Sequence, residues 1–146
     1  MYRLLMLGLL VLSCSLPLHA ADHQLNLSGG WIRLLPAHLP AGGYFTLHNR
    51  SGEPLKLTGA TSPAYGNVML HHSMESSGQS HMMHVDSVAV PAHGTLSFTP
   101  GGYHLMLMQP KTSLKVGGKV DVTLSFSDGE KLTAPFTLKP AGASSP

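Results

Sequence analysis

The sequence predicts an all-β protein, an antiparallel sandwich or barrel that forms a single domain. Gly and Pro recur at intervals of about eight to twelve residues, which is typical of short strands joined by turns. No window of the sequence shows sustained helical periodicity. Instead, apolar and polar residues alternate over short runs, as expected for strands that bury one face.

Nine segments carry this alternation and are predicted to be strands: 24–27, 44–48, 55–57, 68–71, 85–90, 95–98, 104–108, 120–126 and 132–138. Turn-forming residues lie between them at 49–52, 62–63, 91–94, 100–102, 115–118 and 127–129. The segment 73–80 is polar and follows the fourth predicted strand, so we predict that it is a loop. No internal repeat is visible.

The first twenty residues are predicted to be a signal peptide that is cleaved after Ala20. Arg3 supplies the positive charge at its start, and residues 4–12 form an apolar stretch too short to span a bilayer. Lipid attachment at Cys14 is a second and weaker interpretation, because a leucine stands where the attachment motif usually has a smaller residue. The export signal predicts a periplasmic protein whose domain covers residues 21–139, followed by a disordered tail at 140–146.

The charges of the mature chain nearly balance. Without Arg3, the nine basic residues become eight, against seven acidic ones. This balance argues against nucleic acid or an anionic membrane as a partner. No second apolar stretch approaches the roughly 20 residues of a transmembrane helix, so no membrane insertion is expected after cleavage. We expect a monomer without disulfides, since Cys14 is the only cysteine and lies in the leader.

Histidine and methionine concentrate between Met69 and Met108. This stretch of 40 residues holds six of the ten histidines and all six methionines that follow the leader. Imidazole and thioether without thiolate suit Cu(I), whereas zinc prefers thiolate, imidazole and carboxylate. A blue-copper electron-transfer site needs a cysteine thiolate, which the mature chain lacks. The cluster therefore predicts a protein that handles copper.

Strand alternation divides the residues that follow Tyr103. It places His104, Met106 and Met108 on one face, while Leu105 and Leu107 enter the core. We expect Met108, like Met69, to serve packing. Neutral ligands leave the charge of Cu(I) uncompensated, so a site near solvent is easier to sustain than a deeply buried one. Such a site suits a protein that transfers its metal to another protein.

The spacing of these residues resembles that of the periplasmic copper chaperones of the PCuAC type. The ligand signature of that family is His, ten residues, Met, twenty-one residues, and His-x-Met. Here ten residues separate His71 from Met82, and twenty-one residues separate Met82 from His104-Leu105-Met106. The flanking segments 30–33, 41–49, 59–63 and 100–103 also match, and the resemblance covers residues 28–138.

The resemblance implies a cupredoxin-like β-sandwich that binds one Cu(I) ion through His71, Met82, His104 and Met106. It also implies delivery of copper in the periplasm to apo-oxidase subunit II, notably to its CuA centre, or to another copper acceptor. A Sco-type thiol protein is the implied companion. No catalytic residue is expected, because the chain shows neither a general acid–base pair nor a carboxylate triad.

The chain departs from the family pattern by having more potential ligands than the signature requires. One of them, His84, stands where the family commonly has proline. We treat the extra residues as candidate auxiliary ligands, with room for a second copper ion: His72, Met74, His81, Met83 and His84.

Three other functions stay open on the sequence alone. The first is sequestration of copper for tolerance, with more than one ion held per chain. The second is a redox enzyme that uses bound copper, and the third is a purely structural sandwich. Stoichiometry together with transfer to an apo-CuA domain distinguishes the chaperone from the sequestration protein.

Overall fold

The structure is a computed structural model that describes residues 24–146. The predicted signal peptide and Cys14 lie outside the described residues. The described part contains ten strands: β1 (Leu25–Arg33), β2 (Ala41–Asn49), β3 (Leu55–Thr61), β4 (Tyr65–Ser76), β5 (Gln79–His84), β6 (Val88–Val90), β7 (Thr95–Phe98), β8 (Tyr103–Pro110), β9 (Lys119–Phe126) and β10 (Lys131–Lys139). Between residues 24 and 146, no helix is long and apolar enough to cross a membrane. The all-β prediction is confirmed.

The strands form one continuous ladder in the order β5-β4-β8-β2-β1-β10-β9-β3-β6, and β7 pairs with β2 beside β8. Every neighbouring pair is antiparallel except β1 and β10, which run in the same direction from Trp31↔Thr137 to Arg33↔Lys139. The sheet is therefore antiparallel, as predicted, except at this one pair. The first and last strands of the domain are therefore neighbours in the middle of the ladder.

Strands from both halves of this ladder contribute buried side chains to one hydrophobic core. Leu70 on β4 and Leu105 on β8 are at most 2% exposed, as are Leu57 on β3 and Leu124 on β9. Burying one such side chain stabilises the fold by about 1.5–3 kcal/mol. Because Leu105 points into this core, its neighbours along β8 must point to the outer face of the sheet.

A hairpin formed by β4 and β5 stands where the sequence predicts a loop. Its ladder runs from His71↔His84 to Ser76↔Gln79, so the loop predicted at 73–80 is wrong. Ser77 and Gly78 both have positive φ, 55° and 75°, which is the backbone of a two-residue type I′ turn. Every residue of β5 is exposed, so the strand carries none of the apolar alternation that would have revealed it.

The C-terminal tail makes two described contacts. The amide of Ala143 donates to the carbonyl of Pro140 at 3.0 Å, and Arg33 Nε donates to the carbonyl of Ala143 at 2.9 Å. The disorder expected for residues 140–146 stays a prediction, which amide hydrogen exchange at Ala143 would test.

Candidate metal centre

Three imidazoles form a row across the outer face of β5, β4 and β8. His71 on β4 pairs with His84 on β5 and with His104 on β8. Directly paired residues of neighbouring strands point to the same face of a sheet. The ring centroid of His71 lies 5.8 Å from that of His84 and 5.8 Å from that of His104.

Two thioethers share this face with the imidazoles. Met106 follows His104 by two residues on β8, and Met82 precedes His84 by two residues on β5, so strand alternation points all of them the same way. Met82, His104 and Met106 line one pocket of about 300 Å³. The structure thus brings the four ligands that the resemblance implies to one face, which we call the ligand face. Their coordination of a metal stays a prediction.

His104 is held in one orientation and one tautomer. It is only 6% exposed, and its Nδ1 lies 3.2 Å from the carbonyl oxygen of Gly102. A carbonyl can only accept, so Nδ1 carries the proton and Nε2 keeps a free lone pair for a metal. Burial lowers the pKa of His104, the hydrogen bond to Gly102 raises it, and the charge of His72 lowers it. The net effect is a pKa below the ordinary value of 6.5.

His71 is the least satisfied polar side chain of the face. Within the described residues, neither of its ring nitrogens has a hydrogen-bond partner, and both are buried. Leaving such a group unpaired costs about 1–3 kcal/mol, and a metal bound at one nitrogen would remove part of that cost. Burial lowers the pKa of His71, and the neighbouring charges of His104 and His84 lower it further. The lowered pKa favours the neutral ring, which is the form that binds metals.

These two depressed pKa values predict how the metal-free protein responds to acid. Below 6.5, the unfolded chain takes up protons at His71 and His104 before the folded protein does. The free energy of unfolding should therefore decrease as the pH falls below 6.5 and level off once the folded-state pKa values are passed. Urea melts across this range should show a steeper pH dependence for the wild type than for His71→Gln/His104→Gln. Equal slopes would contradict the expected shifts, and His93→Gln, at an exposed turn, is the control.

An aromatic wall borders the ligand face on the side of β1 and β2. The ring of Tyr44 lies 6.5 Å from that of His104 and 4.6 Å from that of Trp31, the only tryptophan of the chain. The guanidinium of Arg33 lies 5.3 Å from the Tyr44 ring and 5.6 Å from the Trp31 ring. A Cβ at Gly42 would stand 2.5 Å from the hydroxyl oxygen of Tyr44, so glycine is needed there to keep the tyrosine in place.

The candidate auxiliary ligands are divided by the pleat of the hairpin. His84 belongs to the ligand face, and its Nε2 lies 3.3 Å from Asp86 Oδ1. The other four point to the opposite face: His72, Met74, His81 and Met83. Sequence reasoning could not make this division, because it depends on the existence and register of β5. The Ser77-Gly78 pair was the available signal for the turn.

Met69 was expected to serve packing, but it lies on the ligand face. It pairs with Met106 on the ligand face and is half-buried, so a third thioether stands beside the predicted ligands. Met108 is also half-buried and pairs with Asn67. Alternation along β4 was the signal that could have placed Met69 next to His71.

The donors gathered on the ligand face favour a soft monovalent ion. No group of three or more His, Cys, Asp or Glu side chains within residues 24–146 is arranged to hold a metal ion. The ligand face instead combines imidazoles with the thioethers of Met82 and Met106. Neutral nitrogen and sulfur donors of this kind suit Cu(I) among the common metals.

Comparison with known families finds a match to most of the described chain. The model of the family described as "Putative lipoprotein LpqE-like" matches residues 25–138. A protein of Leifsonia xyli subsp. xyli, which is also named as a lipoprotein, is 34% identical over 114 residues. The alignment covers 77% of this chain and 67% of that protein.

Solved copper proteins share the fold. The solution structure of Cu(I)-DR1885 from Deinococcus radiodurans is 38% identical with a TM-score of 0.62, and the match covers 76% of this chain and 75% of that one. The copper-bound PCuAC domain from PmoF2 is 21% identical with a TM-score of 0.67, covering 80% of this chain and 93% of that one. The cupredoxin-like sandwich that the sequence resemblance implies is confirmed.

Proposed function

The chain belongs to the LpqE-like family, and on that premise we propose that it is a periplasmic chaperone that binds one Cu(I) ion and passes it to an acceptor protein. The observation that carries the proposal is the ligand face. Two imidazoles with depressed pKa values share that face with two thioethers, and among residues 24–146 the buried ring nitrogens of His71 have no hydrogen-bond partner. The Cu(I) form of DR1885, a protein of the same fold, supports the choice of metal.

The four proposed ligands differ in how firmly they are held, and this difference suits transfer. His104 is 6% exposed and fixed by Gly102, whereas Met82 is 54% exposed on a hairpin strand without core residues. A thiolate or imidazole from an acceptor therefore reaches the ion most easily by displacing the sulfur of Met82. The histidines keep hold of the ion until the acceptor has taken it.

The proposed acceptor is apo-oxidase subunit II, at its CuA centre, with a Sco-type thiol protein as companion. The resemblance to PCuAC-type chaperones supports this recipient, and no catalytic step is needed for it. The signal peptide predicted at residues 1–20 supports a periplasmic location, as do the lipoprotein names of the family and of the Leifsonia protein. We propose a monomeric carrier and no enzyme activity.

Anaerobic titration followed by transfer tests this function. Mature protein is titrated with Cu(I) against a chromophoric chelator, and the loaded protein is then mixed with an apo-CuA domain. We expect one tightly bound ion per chain and the appearance of the CuA absorption bands. A protein that binds no Cu(I) tightly would refute the chaperone, whereas tight binding without transfer would refute only this acceptor.

Cu(I) should also raise the melting temperature. A ligand that binds only the native state stabilises it by about 2.7 kcal/mol at a free concentration of 100 Kd. For a domain of this size, the midpoint should rise by several degrees, on the order of 5 to 15 °C. Calorimetry under anaerobic conditions measures the shift, and a purely structural sandwich would show none. A Met82→Leu/Met106→Leu variant is the control in which the shift should shrink.

Copper sequestration is the second candidate function. It is favoured by the four further His and Met side chains on the opposite face of the β4–β5 hairpin. Storage predicts more than one tightly held ion and no delivery to the apo-CuA domain. The same titration and transfer experiment therefore separates the two functions.

A further inference from the structure

The face of the β4–β5 hairpin that points away from the ligand face carries a second His/Met group. His72 pairs directly with Met83, and Met74 pairs directly with His81. These two cross-strand pairs are adjacent, so the four side chains form the corners of one square. We call them the reverse-face group.

The geometry of a two-stranded ladder allows these four side chains to meet. Directly paired residues have Cβ atoms about 4.5–5.5 Å apart, and diagonal neighbours are about 7–8 Å apart. Imidazole and thioether groups are long enough to close such distances around one ion. The backbone of the hairpin separates this group from the ligand face, so the two sets cannot share an ion.

Packing does not account for the methionines of this group. Met74 is 41% exposed and Met83 is 49% exposed, and β5 contributes no buried residue. Among the described residues, three of the six exposed large hydrophobic side chains are methionines of this hairpin: Met74, Met82 and Met83. A thioether normally fills gaps in a core, and these sulfur atoms stand outside one.

One side chain of the reverse-face group, His72, is held in place by a neighbouring aromatic ring. The ring of His72 stacks on that of Tyr103, with centroids 4.2 Å apart and an angle of 21° between the planes. Tyr103 in turn lies 5.8 Å from the ring of Phe98, which is 1% exposed in the core. Stacking fixes the plane of the imidazole, while its nitrogens lie at the ring edge and stay available.

No acidic side chain of β4 or β5 points to the reverse face, and this favours a soft monovalent ion over a hard cation. Glu75 is the only acidic residue of the two strands, and alternation places it on the other face from Met74. Without a carboxylate, the group offers only imidazole and thioether donors, which suit soft monovalent ions.

We propose that His72, Met74, His81 and Met83 form a second site for a soft monovalent ion, Cu(I) or Ag(I), on the reverse face of the hairpin. This site binds more weakly than the ligand face, because three of its four side chains are exposed and must be ordered by the ion. The protein then carries one tightly held and one readily exchanged ion.

Matched variants on the two faces test this site. Met74→Leu/Met83→Leu removes the thioethers of the reverse face, and Met82→Leu/Met106→Leu removes those of the ligand face. Both exchange Met for Leu, a change of side chain that nearly conserves volume and leaves folding intact. Each protein, with methionine methyl groups labelled with ¹³C, is titrated anaerobically with Ag(I) and with Cu(I).

In the wild type, the methyl resonances of Met82 and Met106 should shift with the first equivalent and those of Met74 and Met83 with the second. The Met74→Leu/Met83→Leu variant should keep the first equivalent and bind the second at least about tenfold more weakly. Two tightly bound equivalents in that variant, or unchanged Met74 and Met83 resonances in the wild type, would overturn the second site. The chaperone proposal is tested separately by the first equivalent. If only the Met82→Leu/Met106→Leu variant loses that equivalent, the chaperone proposal holds whether or not the second site exists.

Discussion

Replacing His104 with alanine and Met106 with leucine in one variant should abolish tight Cu(I) binding. His104 is the proposed ligand whose tautomer is fixed by the carbonyl of Gly102, and Met106 lines a pocket together with it. Losing a residue that merely orients a ligand typically weakens metal binding by about 10- to 100-fold, so losing two direct donors should cost at least about 100-fold. Competition with a chromophoric Cu(I) chelator under anaerobic conditions measures the change.

Met108→Leu is the matched control for this variant. Met108 lies on the same strand and points to the same face as Met106, but it pairs with Asn67 and does not line the pocket. Its removal should leave the affinity for Cu(I) unchanged. If the His104→Ala/Met106→Leu protein bound Cu(I) as well as the wild type, the ligand face would not be the copper site.

Leu105→Ala should destabilise the protein by about 2–5 kcal/mol, which is a large part of the stability of a single domain. Leu105 lies between His104 and Met106 on β8, is fully buried, and pairs with Leu70 on β4 and Gly43 on β2. Truncation leaves a cavity directly beneath the ligand face. Urea denaturation followed by circular dichroism measures the loss.

Leu39→Ala provides the reference for this substitution. Leu39 is 56% exposed, so the same truncation there should change the free energy of unfolding by less than about 0.5 kcal/mol. Similar losses for the two variants would mean that the alternation along β8 does not decide which side chains support the core.

Which residues of β8 face the core, and which residues lie together on the ligand face, could be predicted from the sequence. Alternation along residues 104–108 correctly separated Leu105 and Leu107 from His104 and Met106, because a strand that buries one face must alternate. The spacing from His71 to Met82 and on to His104 pointed to residues that the fold brings to one face. Their binding of copper stays a prediction that the titrations above test.

Other features depend on pairings that a single sequence does not reveal. The parallel contact of β1 with β10 joins residues more than a hundred positions apart, and no local pattern encodes it. The strand β5 was missed because it projects beyond the core and has no apolar face. Without β5, neither the place of His84 beside His71 nor the separation of Met82 from Met83 could be foreseen.

Because Met82 and Met83 are consecutive on β5 and point to opposite faces, a thioether would face the ligands even if the hairpin paired one residue out of register. A slip of one residue in a β-ladder turns every side chain of the slipped strand to the other face. In most metal sites such a slip would remove a ligand, but here it would exchange one thioether for another. A turn of only Ser77 and Gly78 could thus gain or lose a residue during evolution, and the ligand face would still be offered a methionine.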